Sequence, residues 1–409
     1  MGADPFSPFT LGPTILRNRV IKAATYEGLS RRGLVTEELI AFHRAVAAGG
    51  VAMTTVAYCA VSRDGRTDRN QITWSPEAIH GLRALTDAVH AEGAAISAQI
   101  GHAGPVAESR SNGAPALSPS RRLNLTAFNV SHRATPEDLD RVVEQHRRAA
   151  ACAVEAGFDA VEVHLGHNYL ASSFLSPRLN QRHDAYGGSL PNRARLARRL
   201  VEAAREGSAG RLAVLAKLNL EDGVRGGLQL EESTQVAQWL EQDGNVDALV
   251  LTAGSSLLNP MYLFRGDAPR ADFAALMPPL VRLGIKTVGR RIMRDYPFEE
   301  LYLLPQARAV RQAVRLPLVL LGGVSSAAAL QQAMVEGFEL VEMGRALLRE
   351  PDLVQRLAGD ASAVGACIHC NRCMPTNYTG TRCVLITPLS PRQPEWAAGG
   401  TIVGAPDAG

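Results

Sequence analysis

The chain has 409 residues, 46% of them hydrophobic, with a formal net charge of +3. That supports a sizeable core, and no charged run reads as a grip on nucleic acid or a membrane surface. No apolar run reaches the roughly 18 residues of a membrane span, residues 1–8 lack the order of a secretory leader, and Phe6 stands where myristoylation needs Ser or Thr. Eight short β-branched apolar runs then alternate with amphipathic segments. In chain order, a strand at 20–24 precedes a helix at 36–48, and 51–57 precedes 76–92. The strand 95–101 precedes a polar excursion and the helix 136–157, and 160–164 precedes a second excursion and the helix 193–206. Next, 212–218 precedes 230–242, and 248–252 precedes a long insertion and the helix 305–315. Finally, 318–322 precedes 327–336, and 340–343 precedes 351–358.

Continuous apolar runs are the signature of parallel strands buried on both faces. Helices between them imply right-handed crossovers. Eight such units predict an α/β fold, a (β/α)8 TIM barrel with long loop insertions, in preference to an open doubly wound sheet. Gly93 and Gly157 follow two of the helices and supply the left-handed stop. The expected division is a barrel over 1–360, a cysteine-containing extension packed on it over 361–390, and a disordered tail over 391–409, rich in Pro, Gly and Ala. The excursion 104–135 and the insertion 255–304 both follow strands, where barrel chemistry sits, and both can cap the mouth.

Four segments carry candidate chemistry. Gly322 and Gly323 end the seventh strand, and Gly344 and Arg345 end the eighth. Glycine lets backbone N–H groups approach an anion, and Arg345 adds a charged fork, so this pair of loops is a candidate phosphate site; two ordinary tight turns are the alternative. His164, His167 and Tyr169 leave the fourth strand towards the mouth. Two imidazoles there suit a developing oxyanion, with Tyr169 as proton donor; zinc ligation and structural histidines stay open. Gln99, on the third strand, offers a donor and an acceptor to an imide edge. Lys217 is the ionised side chain of the apolar fifth strand and needs a buried partner, either a reduced flavin anion or a carboxylate such as Glu162. Cys367, Cys370, Cys373 and Cys383 are separated by two, two and nine residues. That spacing suits a [4Fe–4S] cluster or zinc, and unligated thiols are the remaining reading. Cys59 and Cys152 read as core.

Together these segments resemble the old yellow enzyme family of FMN-dependent reductases, nearest to its branch with the 2,4-dienoyl-CoA reductases and trimethylamine dehydrogenase. The stretch from Phe174 to Arg193, following the His-x-x-His-x-Tyr segment, carries the likeness most specifically. The resemblance implies FMN held by Ala24, Thr25, Gln99, Lys217, Gly322, Gly323, Gly344 and Arg345. It implies that His164, His167 and Tyr26 contact the substrate and that Tyr169 is the proton donor. Asn180, Arg182, Tyr186 and Asn192 would order the long loop. NADH or NADPH would be the transient hydride donor, and a small α,β-unsaturated carbonyl compound the acceptor. An oxidative dehydrogenase or demethylase passing electrons through an iron–sulfur cluster is the alternative. A cytoplasmic protein, with association into homo-oligomers, completes the expectation. Three features depart from the pattern: Tyr26 where a flavin-tuning Thr or Cys is common, the insertion 255–304, and the lack of a Gly-rich dinucleotide fingerprint after the barrel, so that NAD(P)H is expected to bind transiently at the FMN face; at Lys217 many relatives use Arg.

Overall fold

The apolar runs do close on one another. A computed structural model describes residues 2–124, 129–277, 279–386 and 402–403. Its barrel strands are β3 (Val20–Lys22), β4 (Met53–Ala60), β5 (Ala95–Gly101), β6 (Ala160–Leu165), β7 (Ala213–Asn219), β8 (Ala248–Thr252), β9 (Leu318–Leu321) and β10 (Leu340–Met343), preceded by a hairpin of β1 (Phe9–Leu11) and β2 (Thr14–Leu16). The eight strands pair in parallel in chain order, and β10 closes on β3 through Val341 opposite Val20. The predicted (β/α)8 barrel is therefore the observed one, with three strand ranges unchanged.

Local signals explain the helix boundaries. The helix Pro136–Glu155 starts at Thr135, whose hydroxyl accepts from Asp138 N while the Asp138 carboxylate accepts from Thr135 N, a complete capping box. Pro136 costs nothing in the first turn, where its missing N–H has no intrahelical partner. Leu139, Val142, His146, Ala149 and Ala153 form the buried stripe. Gly157, with φ of 82°, turns the chain into β6.

Two parts of the fold went unread in the sequence. The β1–β2 hairpin seals the N-terminal end of the barrel. Leu11 and Leu16 meet Ile21, Met53, Leu215, Val250, Val319 and Leu340 there in a hydrocarbon cluster of their own. The insertion 255–304 forms three helices, Pro260–Phe264, Arg270–Leu276 and Pro279–Ile292. It lies at the C-terminal ends of the strands. A Cβ on Gly254 would come within 3.0 Å of Leu263 N, and one on Gly223 within 2.5 Å of the Tyr262 ring.

The segment after residue 360 is tied across the same end. Gly365 N donates to Ser325 O at 2.7 Å, Thr381 N donates to Glu27 O at 2.7 Å, and Arg372 pairs with Asp272. Most of 391–409 falls outside the described residues, so the expectation of a disordered tail is not addressed there. Ile402 and Val403 are described and pair with Thr36 and Val35. Among the described residues, no helix is long and apolar enough to cross a membrane.

Candidate active site

Strand register decides which side chains meet inside the upper half of the barrel. Gln99 lies opposite Glu162, and His164 opposite Lys217. Lys217 Nζ sits 2.9 Å from Glu162 Oε1 and 2.9 Å from Glu342 Oε2. Gln99 Nε2 donates to Glu162 Oε1 at 2.6 Å. The partner of Lys217 in the protein is thus a pair of carboxylates, one of them the Glu162 named from sequence. Burial alone would lower the Lys217 pKa, but the two carboxylates raise it. Burial and the neighbouring Glu162 push Glu342 up to about 8. Two acids around one ammonium leave an excess of negative charge, and the shift says that Glu342 answers it by holding a proton.

A second buried pair lies beside the first. Lys22 Nζ is 3.2 Å from Glu27 Oε1, and His43 Nε2 approaches the same oxygen at 3.4 Å. Glu27 also accepts from Ala57 N. Sequence reasoning missed Lys22, Glu27, His43 and Glu342. The signal was present for two of them, because Lys22 interrupts Val-Ile-Lys-Ala and Glu342 interrupts Leu-Val-Glu-Met, as Lys217 interrupts its own strand.

At the rim, His164, His167 and Tyr169 do come together. The imidazole centroids are 5.1 Å apart, and the Tyr169 ring lies 4.6 Å from His164. His167 Nε2 is 2.8 Å from Thr252 Oγ1, and its backbone N donates to Asn219 Oδ1. His167 and Asn168 both adopt left-handed φ, 59° and 58°, a conformation non-glycine residues seldom take without a reason. Burial, then the nearby Lys217 charge, holds His167 down at about 3, and burial holds His164 well below the usual range. Both rings are therefore neutral near pH 7 and act as hydrogen-bonding groups, not acids. Burial pushes Tyr169 up to about 12, so it stays protonated and can give a proton. Ala24 and Tyr169 pack on Ala57 and Tyr58. Tyr26 is kept protonated by burial and by Asp68, and its carbonyl accepts from Thr381 Oγ1 at 2.5 Å.

The loops named as a candidate phosphate site lie across the mouth. Gly322 and Gly323 have φ of 121° and 85°. A Cβ on either would approach Leu303 Cγ or Tyr302 Cδ1 to 2.8 Å, so glycine is required twice over. Around Gly344 the nearest atom to a would-be Cβ is Thr25 Cγ2 at 3.7 Å, which leaves room for a ligand. Arg345 Nη1 donates to Arg265 O at 2.8 Å and to Asn371 Oδ1.

The long loop after Tyr169 is ordered by the residues expected to do so. Asn180 Nδ2 donates to Phe174 O and Tyr186 O, and Arg182 bonds Asp184, Pro119 O and Ala134 O.

The four C-terminal cysteines line one cavity together with Arg345 and His369. Burial raises the Cys367 thiol and pushes Cys373 up to about 12. Among the described residues, no three His, Cys, Asp or Glu side chains are grouped as ligands of a single ion, so the zinc readings of the cysteines and of the histidine pair gain nothing here.

Whether a flavin mononucleotide suits this mouth can be judged from what the protein leaves unpaired. Thr25 Oγ1 and His164 Nδ1 are buried without a hydrogen-bond partner, while Glu162 and the protonated Glu342 bond each other. Native interiors rarely tolerate such a pair unless a bound group completes it. Paired glycine loops with an arginine at one end, and orphaned donors and acceptors across the mouth, match the polar inventory of FMN.

The fold and site define a flavin oxidoreductase. The chain belongs to the NADH:flavin oxidoreductase / NADH oxidase family, the old yellow enzyme family, which it matches over residues 4–255. FMN and a nicotinamide are the redox pair of that family. The chain is 55% identical over 388 residues to a 4,4'-dithiodibutanoate disulfide reductase of Rhodococcus erythropolis, covering 95% of this chain and 96% of that one. It is 32% identical over 270 residues to an NADPH dehydrogenase of Bacillus velezensis, covering 65% and 78% of the two chains. A solved old yellow enzyme homologue from Zymomonas mobilis superposes with a TM-score of 0.69 at 23% identity, covering 90% and 96%. That last likeness concerns the fold.

Proposed function

We propose that this chain uses FMN and NAD(P)H to reduce a small aliphatic disulfide bearing carboxylates. The observation that carries this reading is the 55% identity, along nearly the whole of both chains, to a reductase named for 4,4'-dithiodibutanoate. The balanced reaction is RSSR + NAD(P)H + H+ → 2 RSH + NAD(P)+. The Bacillus relative's name favours NADPH as the donor.

Bound FMN supplies the two-electron redox chemistry. Gly322, Gly323, Gly344 and Arg345 would hold its phosphate. Ala24, Thr25, Gln99 and Lys217 would lie against its ring system. His164 and His167, neutral at working pH, position the acceptor over the mouth with Tyr26 at its edge. Tyr169 protonates the sulfur that leaves as the S–S bond breaks, because its hydroxyl stays protonated under working conditions. The insertion and the cysteine segment restrict water at the mouth.

A second reading is reduction of an activated C=C bond. The site geometry favours it specifically, since two neutral imidazoles beside a phenol suit a carbonyl oxygen and the adjacent carbon. A third is an oxidative dehydrogenase or demethylase with a [4Fe–4S] cluster on Cys367, Cys370, Cys373 and Cys383. Its support is their shared cavity, since thiolates on different irons stand farther apart than ligands of one ion.

One experiment separates the three. The purified protein is reduced anaerobically with NADPH, then mixed with 4,4'-dithiodibutanoate or with 2-cyclohexen-1-one, alongside an iron determination. Faster flavin reoxidation by the disulfide supports the first reading, and faster reoxidation by the enone replaces it with the second. Stoichiometric iron with neither acceptor active favours the third. Colourless protein that refuses FMN sinks all of them.

A further inference from the structure

The side chain of one arginine in the insertion has no part in the chemistry so far. Arg265 follows the short helix Pro260–Phe264, and its guanidinium lies over three rings. The carbon at its centre is 4.4 Å from the Tyr262 centroid, 4.8 Å from Tyr296 and 5.7 Å from Tyr302. Its Nε is buried with no hydrogen-bond partner, while the residue as a whole is half-buried. Its φ of 34° is a strained value for a non-glycine residue.

Nearby arginines are balanced differently. Arg270 pairs with Asp295, and Arg372 with Asp272. Arg265 forms no ion pair among the described residues. A carboxylate beside the cage, Glu221, is already engaged by Tyr262 Oη and Gln306 Nε2.

The position of Arg265 is also informative. Ser256 N, earlier in the same insertion, donates to His167 O at 3.1 Å. Arg265 O receives Arg345 Nη1 at 2.8 Å. The segment from Ser256 to Arg265 is thus anchored at one end to the imidazole cradle and at the other to Arg345. The Tyr262 hydroxyl already lies within hydrogen-bonding reach of the guanidinium, but a planar fork held against aromatic rings has further N–H donors for a carboxylate, and a half-buried cation with an idle Nε gains from an anion.

We infer that Arg265, caged by Tyr262, Tyr296 and Tyr302, is the subsite that binds a carboxylate of the acceptor. The inference deepens the disulfide reading and rests on it: a linear disulfide with terminal carboxylates places its S–S bond at the cradle and one end at the cage. The phosphate loops have Arg345 of their own, which leaves Arg265 for the second anion.

The test uses holoenzyme with Arg265→Met and Arg265→Lys. Turnover is compared for 4,4'-dithiodibutanoate and its dimethyl ester, and binding is measured calorimetrically for decanedioate, a dicarboxylate of equal length that cannot be reduced. Arg265→Met should raise KM for the diacid about ten- to a hundredfold, with Arg265→Lys recovering part of the loss, and should move KM for the ester less than about twofold. Decanedioate binding should weaken in parallel. Equal losses for diacid and ester would make Arg265 structural and overturn the inference. Weakened FMN affinity with unchanged diacid preference would make it a phosphate anchor and overturn it too. If wild type reduces diacid and ester equally well and ignores decanedioate, the subsite is wrong while the disulfide reading stands. If wild type binds decanedioate through Arg265 but reduces no disulfide, the subsite stands and the disulfide reading falls.

Discussion

The two ends of the barrel are made from the same eight strands and hold opposite contents. At the base, Ile21, Met53, Leu215, Val250, Val319 and Leu340 meet the hairpin leucines in one hydrocarbon cluster. One or two residues further along, the same strands deliver Lys22, Lys217, Glu162 and Glu342, all at most 1–2% exposed. Strand alternation and tilt let one element serve both layers. The difference teaches where each kind of free energy resides. Hydrocarbon burial at the base holds the barrel closed, while the charges above cost stability and are kept at the end where chemistry sits.

The sharpest way to break this contrast is Lys217→Met, which removes the cation shared by the buried Glu162 and Glu342. Unfolding in denaturant at pH 8 should show a loss of about 3–5 kcal/mol, because removing one member of a buried ionic cluster leaves uncompensated charge. The loss should shrink at pH 6, below the raised pKa of Glu342, where that group is neutral. An equal loss at both pH values would contradict the ionic account.

At the base, Leu215→Ala should cost about 2–5 kcal/mol by opening a cavity. That cost should not change with pH. Reduction of bound flavin by NADPH should proceed at the wild-type rate in the folded fraction.

The pH profile of the melting temperature sharpens the comparison next. Burial lowers His43 and His164 and takes His146 to about 4 and His167 to about 3, all from an ordinary 6.5. The unfolded chain then binds more protons below pH 6.5, so stability falls as the pH drops from there. Glu342 is raised from 4.5 to about 8. The native state therefore holds the extra proton between those values, and stability from this group is lost as pH rises through 8. The melting temperature should peak near pH 6.5, with an alkaline limb of at most about 1.4 kcal/mol per pH unit. Glu342→Gln should flatten that limb alone.

The smallest effect belongs to the periphery. Thr135→Ala, which removes the capping box of Pro136–Glu155, should cost about 1 kcal/mol. Thermal melts at neutral pH suffice to see it.

Much of the architecture was legible because parallel strands buried on both sides write themselves as unbroken apolar runs. Residues 95–101, 248–252 and 340–343 came out with unchanged limits. The β1–β2 hairpin was not legible: Phe9–Leu11 and Thr14–Leu16 are three residues each, too short for periodicity to register. The helices of the insertion were passed over because its Arg, Tyr and Pro content reads as loop, and their order comes from contacts such as Arg270 with Asp295. In the site, the His164–His167–Tyr169 grouping was readable from spacing at one strand end. Glu342 and Lys22 were not counted as members of a shared cluster, since that follows from barrel closure, which brings β10 beside β3 and across from β7. Arg265 gave no signal in sequence, because its cage is assembled from Tyr262, Tyr296 and Tyr302, spread over the insertion.

The hairpin of β1 and β2 works as a stopper in the neck of a flask. With the base plugged by leucine side chains, the interior carboxylates are shut off from solvent on that side. The charged layer above can therefore be approached only from the other end, which is the end where the loops gather.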